Sequence, residues 1–567
     1  MKNWRIYLVL GIVFVFGAAV ISRLFYIQVI NHKFYQSQAL GQQAGFQETV
    51  GARGQIFFTN SQDTKGAGGG EEIKSLAINR DTLIVSAIPK EITDKNIFAE
   101  SLAKEIGETK EAILSKLEGQ TSYVVIKKDV PADDAGKIKG LNLKGLYTEV
   151  VPERFYPQEN LAAQVSGFLG GDGTGQYGLE GYYEDELKGK SGITEAKRGF
   201  AIFSQADPNS LNGSDVYLTI DYNIQFKAES LLKEAKQTLD IDSGQIVVIK
   251  PDSGRILAMA NFPAFDPNQY SKVGDLEIFQ NSVVQKLFEP GSVMKPFTMA
   301  IGINEGKITP DTTYVDESFV KIGRDTVYNY AHEKYGKQTM TGVLEKSINT
   351  GAIFVEQKIP HNTFFNYIDK FGFTQKTGID LQGEVYSWND LLKNGPDVEY
   401  ATAAYGQGIE ITPIQLVKGF CIFANGGKLV KPYVAEKIVQ GKKENYVKTQ
   451  SQDQVISEDT AQKVTKMMVS VLENGYAKSA RVPGYYLAGK TGTAQVPLKN
   501  GKGYDLNKTI QSFIGFGPAY NPKFLILVKL DNPKVPVSSL SSTPVFQKMA
   551  QYIINYWQIP PDYEIHK

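Results

Sequence analysis

The chain has 567 residues and a mass of 62.7 kDa, more than one hydrophobic core serves, so two or three folded units are expected. Hydrophobic residues at 42% and charged residues at 22% exclude a largely disordered or collagen-like chain, and 61 basic against 61 acidic side chains exclude a basic field that would recruit nucleic acid. A single cysteine, Cys421, excludes an intrachain disulfide framework. With four scattered histidines (His32, His332, His361 and His566), neither zinc-ligand spacing nor a compact His-based triad is available. No metal or other cofactor is expected, and any nucleophile must be activated by another base.

In chain order, Lys2 and Arg5 precede the charge-free run Ile6 to Ile21, and after Arg23 the apolar pattern resumes as far as Ile30. This predicts a cytoplasmic tail over 1–5 and a single-pass transmembrane signal anchor over 6–30, with Trp4, Phe25 and Tyr26 at the interfaces and the rest of the chain outside the plasma membrane. Gly17-Ala18-Ala19 offers small residues for signal cleavage, but the apolar stretch runs longer than a secretory signal core. Ser61 to Gly70 has the composition of a surface loop. Ile97 to Ile106 and Glu111 to Leu117 carry apolar residues at helical spacing, and Ser122 to Ile126 reads as a strand.

At Asp215 the texture changes, marking a new domain. Val216 to Ile220 predicts a strand, Ile224 to Leu239 a helix, and Gln245 to Ile249 with Arg255 to Ala260 a hairpin around Pro251-Asp252-Ser253-Gly254. Phe420-Cys421-Ile422-Phe423 is apolar, so Cys421 is expected to be a buried, inert thiol. Gln511 to Phe516 and Phe524 to Leu530 predict a second hairpin, and Phe546, Met549, Ile553 and Tyr556 share one face of a closing helix. The pattern is α+β, an antiparallel sheet sandwiched by helices.

Three short segments carry chemistry. In Glu289-Pro290-Gly291-Ser292-Val293-Met294-Lys295, Ser292 opens a helix and Lys295 follows on the same face, so a lysine kept neutral by burial or a neighbouring cation could deprotonate the hydroxyl. Alone, the pattern is common, and Ser292 could be a simple N-cap. Ser347-Ile348-Asn349 offers a hydroxyl and an amide on a turn. Lys490-Thr491-Gly492-Thr493 reads as a polar edge strand, bare at Gly492, against which an extended peptide could lie while Lys490 attracts its carboxylate. Two further matches fail on context. Gly484 to Thr491 fits the P-loop pattern, but no apolar strand precedes it and Pro497, Gly501 and Gly503 follow; Gly173 to Gly178 fits the dinucleotide fingerprint without a βαβ unit.

Taken together and in order, Ser-x-x-Lys, Ser-x-Asn and Lys-Thr-Gly resemble the motif set of penicillin-binding proteins and serine β-lactamases. Gly213 to Asp221, Pro263 to Asn268, Tyr405 to Ile409 and Thr412 to Leu416 resemble the larger transpeptidases as well. Gly51 to Ile56, Arg154 to Pro157 and Gly178 to Tyr183 resemble the class B pedestal, with nothing before Asp215 like a glycosyltransferase domain. The resemblance implies an elongated pedestal (dimerisation) domain over 36–214 and a penicillin-binding transpeptidase domain over 215–567. It implies a peptidoglycan D,D-transpeptidase acting on stem peptides, inhibited by β-lactam antibiotics, and partnered by a polytopic membrane glycosyltransferase. Ala404 to Ile409, Ser512 to Phe516 and Ile559 to Asp562 look more like septal, divisome-associated enzymes than elongation-type ones. A β-lactamase, a β-lactam sensor and a non-catalytic scaffold are the rival readings. By the same resemblance Ser292 is the nucleophile, Lys295 the base, Ser347 a proton relay and Asn349 the orienter of the acyl-side amide. Lys490, Thr491 and Thr493 hold the terminal carboxylate beside Gly492, and the Ser292 and Thr493 amides form the oxyanion hole. Ser539 to Pro544 stands where relatives often carry glycines, which questions the local strand geometry there.

Overall fold

The computed structural model describes residues 14, 16–17, 20, 23–24, 47–59, 74–118, 122–194, 211–447, 453–498 and 503–564. They form two compact units, a small one from 1–54, 186–214 and 440–442, and a large one from 55–185, 215–439 and 443–567.

Both hairpins foreseen after Asp215 enter one five-stranded antiparallel sheet in the large unit. Its strands are β1 (Ser243–Ile249), β2 (Ile256–Phe262), β3 (Ala488–Pro497), β4 (Tyr504–Gly517) and β5 (Phe524–Asp531), in the order β2-β1-β5-β4-β3. The N-terminal hairpin thus pairs with the last strand, Ile246 opposite Val528, and β3 is left as an edge. β1 and β5 are apolar along almost their whole length and buried on both faces, which requires a helical layer on each side. Helices α1 (Tyr222–Leu239) and α6 (Ser542–Tyr556) pack together against it, and α2 (Lys295–Asn304), α4 (Pro413–Ala424) and α5 (Glu458–Glu473) form a second group. The predicted α+β sandwich is therefore present. Phe546, Met549 and Ile553 are buried on α6 as their spacing implied, whereas Tyr556 is only part-buried and hydrogen-bonds Asp221. Cys421 is buried in α4, and burial drives its thiol pKa far above the usual value.

The strand geometry questioned at Ser539 to Pro544 is indeed absent, a turn and a helix start standing in its place. Ser538–Leu540 is a 3-10 turn and Ser542 opens α6, so the serines there make turn hydrogen bonds, Thr543 Oγ1 and Ser542 Oγ both donating to Ser538 O.

A second, mixed sheet joins Asp215–Asp221 in parallel to Ile56–Thr59, which pairs with Ser75–Ala87; that long strand is flanked by Val124–Pro131 and Leu146–Phe155. Helices Lys95–Ile106 and Lys110–Leu117, where periodicity placed them, close a small apolar core on these strands. Two pedestal-like motifs meet here: buried Arg154 pairs with buried Glu180 at 2.7 Å. Tyr183 in turn donates to Asp380, whose carboxylate also accepts from the Val434 and Ala435 amides.

In the small unit Gln47–Val50 pairs antiparallel with Ser191–Thr194. The backbones approach so closely that a Cβ at Gly51 would lie 1.9 Å from Leu211 O and one at Gly213 1.8 Å from Leu187 O; only glycine fits. Most of the anchor expected over 6–30, and the loop expected over Ser61 to Gly70, lie outside the described residues. Among those described, no helix is long and apolar enough to cross a membrane.

Candidate active site

Pro290 ends the preceding segment, and Gly291, at φ +62°, takes the left-handed conformation and donates its amide to Gly406 O. Ser292 then sits in a 3-10 turn (Gly291–Met294) that runs into α2, where Lys295 is the first residue. This is tighter than the continuous helix expected, but it still puts both side chains on one side. Lys295 Nζ lies 3.0 Å from Ser292 Oγ.

Lys295 is fully buried and reaches three more acceptors: Ser347 O at 2.5 Å, Ser347 Oγ at 3.2 Å and Asn349 Oδ1 at 2.8 Å. Lys490, fully buried on edge strand β3, donates to Ser347 Oγ at 2.9 Å and to Thr491 Oγ1 at 3.1 Å. Ser347 Oγ therefore bridges two amines. Burial holds the Lys295 pKa well below its usual 10.5, and the nearby Lys490 charge lowers it further. Burial alone brings Lys490 down to about 7.

Ser347 reaches this position through a left-handed backbone, φ +56°, between the short helix Met340–Glu345 and α3 (Asn349–Glu356). A non-glycine residue there costs about 1–3 kcal/mol, held by the surrounding bonds. Gly492 is required as the strand passes the Ser292 turn, since a Cβ would meet Ser512 Oγ at 2.4 Å and Pro290 O at 3.0 Å. Thr493 Oγ1 hydrogen-bonds Ser538 Oγ at 3.2 Å.

All eight residues singled out in the sequence thus meet around one cleft of about 1280 Å³, lined by Ser292, Ser347, Asn349, Thr491 and Thr493 among others. A hydroxyl against a buried amine, beside a second lysine and an open strand edge, is an arrangement in which the hydroxyl can serve as a nucleophile, the amine as its base and the edge as a carboxylate-binding side. The P-loop reading of Lys490 fails here too, since the segment is an antiparallel strand with no helix after it.

Comparison with known proteins gives the family. Residues 244–551 match the penicillin-binding protein transpeptidase domain, and residues 50–218 the penicillin-binding protein dimerisation domain. The chain belongs to the penicillin-binding protein transpeptidase family. This penicillin-binding protein is of the class B kind. It is 35% identical over 472 residues to stage V sporulation protein D of Bacillus subtilis, covering 81% of this chain and 73% of that one. It is 30% identical over 574 residues to the probable peptidoglycan D,D-transpeptidase PenA of Neisseria meningitidis serogroup A, covering 99% and 94%. Among solved structures, penicillin-binding protein 3 of Mycobacterium tuberculosis complexed with aztreonam superposes with a TM-score of 0.70 at 26% identity, covering 91% of this chain and 98% of that one.

Several residues of this penicillin-binding protein's cleft were not singled out in the sequence. Tyr328 lines it from the end of a hairpin strand, Tyr330 and His332 from the 3-10 segment after it, Tyr476 from a loop and Ser538 from the 3-10 turn it opens. Glu289, three residues before Ser292, is buried and accepts from Gly408 N and Tyr504 OH; burial raises its pKa. Its place in Glu-Pro-Gly-Ser was visible, but nothing in the sequence showed the carboxylate turned inward.

Proposed function

We propose that this chain is a membrane-anchored D,D-transpeptidase that cross-links peptidoglycan stem peptides through a Ser292 acyl-enzyme, in septal wall synthesis. The observation that carries this is the Lys295 amine, buried, depressed in pKa and 3.0 Å from Ser292 Oγ. Neutral Lys295 takes the Ser292 proton as Oγ attacks the carbonyl of the penultimate D-alanine. The proton passes by way of Ser347, which touches both lysines, to the leaving terminal D-alanine. Lys490, Thr491 and Thr493 hold the terminal carboxylate of the extended peptide along β3, beside Gly492. Asn349 orients the acyl-side amide, and the amides of Ser292 and Thr493 receive the oxyanion, each worth about 3 kcal/mol. An amine of a neighbouring stem then resolves the acyl-enzyme.

β-Lactams acylate the same serine and persist. Among the described residues the cleft lining carries a single carboxylate, Glu333, which is not hydrogen-bonded to Ser292 or Lys295, so no carboxylate is placed there to activate a deacylating water. That favours a target of β-lactams over a β-lactamase. The pedestal spans 36–214 and the transpeptidase 215–567, with an anchor at 6–30 to which exposed Phe14 and Phe16 contribute. A polytopic glycosyltransferase supplies the glycan, and other divisome proteins join them. The similarity to a sporulation protein favours one rival, a wall synthase used in spore formation.

A fluorescent penicillin should label the detergent-solubilised full chain, and Ser292→Ala should abolish labelling; labelling that survives the substitution refutes the assignment. Depletion should leave cells filamentous; rounded cells would indicate elongation, and normal growth with failed spores the sporulation role.

A further inference from the structure

One carboxylate ties a wall of the cleft to the helix that carries Asn349. Asp316, fully buried at the end of strand Thr313–Asp316, accepts from Ser318 N at 3.1 Å, Tyr335 N at 2.7 Å and Thr350 Oγ1 at 2.6 Å. Asn329 Nδ2 donates to its two oxygens at 2.9 and 3.1 Å. A carboxylate is tolerated in the interior where donors converge on it, and here they come from four separate points of the chain. Asn329 also accepts from Thr350 N at 3.1 Å, and Tyr314 OH bonds Thr350 Oγ1 at 3.1 Å.

These partners flank the site residue. Thr350 follows Asn349, and Asn329 follows Tyr328, whose carbonyl accepts from Asn349 Nδ2 at 3.1 Å. The other end of that amide, Oδ1, accepts from Lys295 Nζ at 2.8 Å. The residues next to Asn349 and to its partner Tyr328, Thr350 and Asn329, are thus both held by the same buried group. We propose that Asp316 is a positioning residue of the transpeptidase site: acting through Thr350 and Asn329, it sets the Asn349 amide against Lys295, so acylation depends on a carboxylate that touches no substrate. The inference rests on the acyl-enzyme reading above. An apolar residue would fill the volume but could not hold the strand, hairpin and helix in register.

The test uses purified full chain and a fluorescent penicillin, with the acylation rate constant measured against pH. Asp316→Asn, Thr350→Val and Asn349→Ala are each made alone, and the first two are also combined with Asn349→Ala. Thr350→Val keeps the side chain's size and removes one hydroxyl link, so it carries the test if Asp316→Asn fails to fold. Asp316→Asn and Thr350→Val should each label to full stoichiometry but about tenfold more slowly, and neither should slow the Asn349→Ala variant further. Losing Asn349 Oδ1 as acceptor removes a bond that favours charged Lys295, so the rising limb of the pH profile should move to lower pH. Slowing that follows lost melting temperature, with an unshifted pH profile and additive double variants, would reduce Asp316 to a structural role and overturn the proposal. A wild-type chain that takes no label would instead overturn the acyl-enzyme reading.

Discussion

The N-terminal lobe and the cleft are built on opposite terms. The lobe core (Leu83, Val85, Phe98, Leu102, Ile113, Leu117 and Ile126) is wholly apolar, and its helices are capped by Asp94 and Thr109. Periodicity, capping and burial agree there. Around the cleft the fully buried side chains include two lysines, Ser347 is held left-handed, and neither the Ser292 turn nor α2 has a side-chain cap. The uncapped turn leaves amide groups that could receive the oxyanion of the proposed acyl transfer. Local rules are obeyed where the chain only has to fold and broken where it has to react.

Lys295→Met should break the contrast most visibly. Acylation should fall at least about 10³-fold, since among the described residues Lys295 is the basic side chain hydrogen-bonded to Ser292 Oγ, while the protein melts no lower than the parent. The sign follows from the depressed pKa: the unfolded chain binds the Lys295 proton that the native site resists, so the lysine destabilises most at low pH and ceases to as pH passes the unfolded value near 10.5. Melting curves at pH 6 and pH 10 should show the gain in Lys295→Met shrinking. A variant less stable at both would show that the ammonium's hydrogen bonds outweigh its burial.

Leu102→Ala should do the reverse in the lobe. It leaves a cavity costing about 2–5 kcal/mol, and hydrogen exchange in Lys95–Leu117 should speed accordingly while penicillin acylation stays at the parental rate. Loss of acylation would mean that the lobe core helps to hold the site.

Lys490→Gln probes the two lysines' dependence on each other. It removes the charge that depresses Lys295, so Lys295 should rise in pKa and the rising limb of acylation move to higher pH. In the parent, Lys490 loses its proton near pH 7, so peptide affinity should weaken above neutrality, whereas Lys490→Gln should bind about tenfold more weakly at pH 6 and show little further change. An unshifted acylation profile would mean that burial alone tunes the base.

Much of this was legible because it is local. Ser292 and Lys295 are three residues apart, Lys490 to Thr493 alternate along one strand, and the helices from Lys95, Tyr222 and Ser542 announce themselves by spacing. The pairing of β1 with β5 was not, because Ile246 and Val528 carry no mark of each other. Asp316, Asn329 and Thr350 were overlooked for the same reason: each is an ordinary polar residue until the fold buries it among donors. Ser539 to Pro544 raises only a question about strand geometry in the sequence, because serines that bond to turn carbonyls do not by themselves show that a helix begins there.

The smallest effect is the sharpest measure of the lobe's terms. Asp94 accepts from Asn96 N at 2.8 Å and Ile97 N at 3.1 Å, satisfying two of the four amides that open helix Lys95–Ile106, while Gly107 at φ +64° closes it. Asp94→Ala should cost about 1 kcal/mol, and Asp94→Asn, which keeps the accepting oxygen, much less. The difference should appear as faster amide exchange in the first turn of that helix, with acylation unaltered. Equal losses in both variants would assign the effect to the carboxylate's charge at the helix N-terminus and not to the cap.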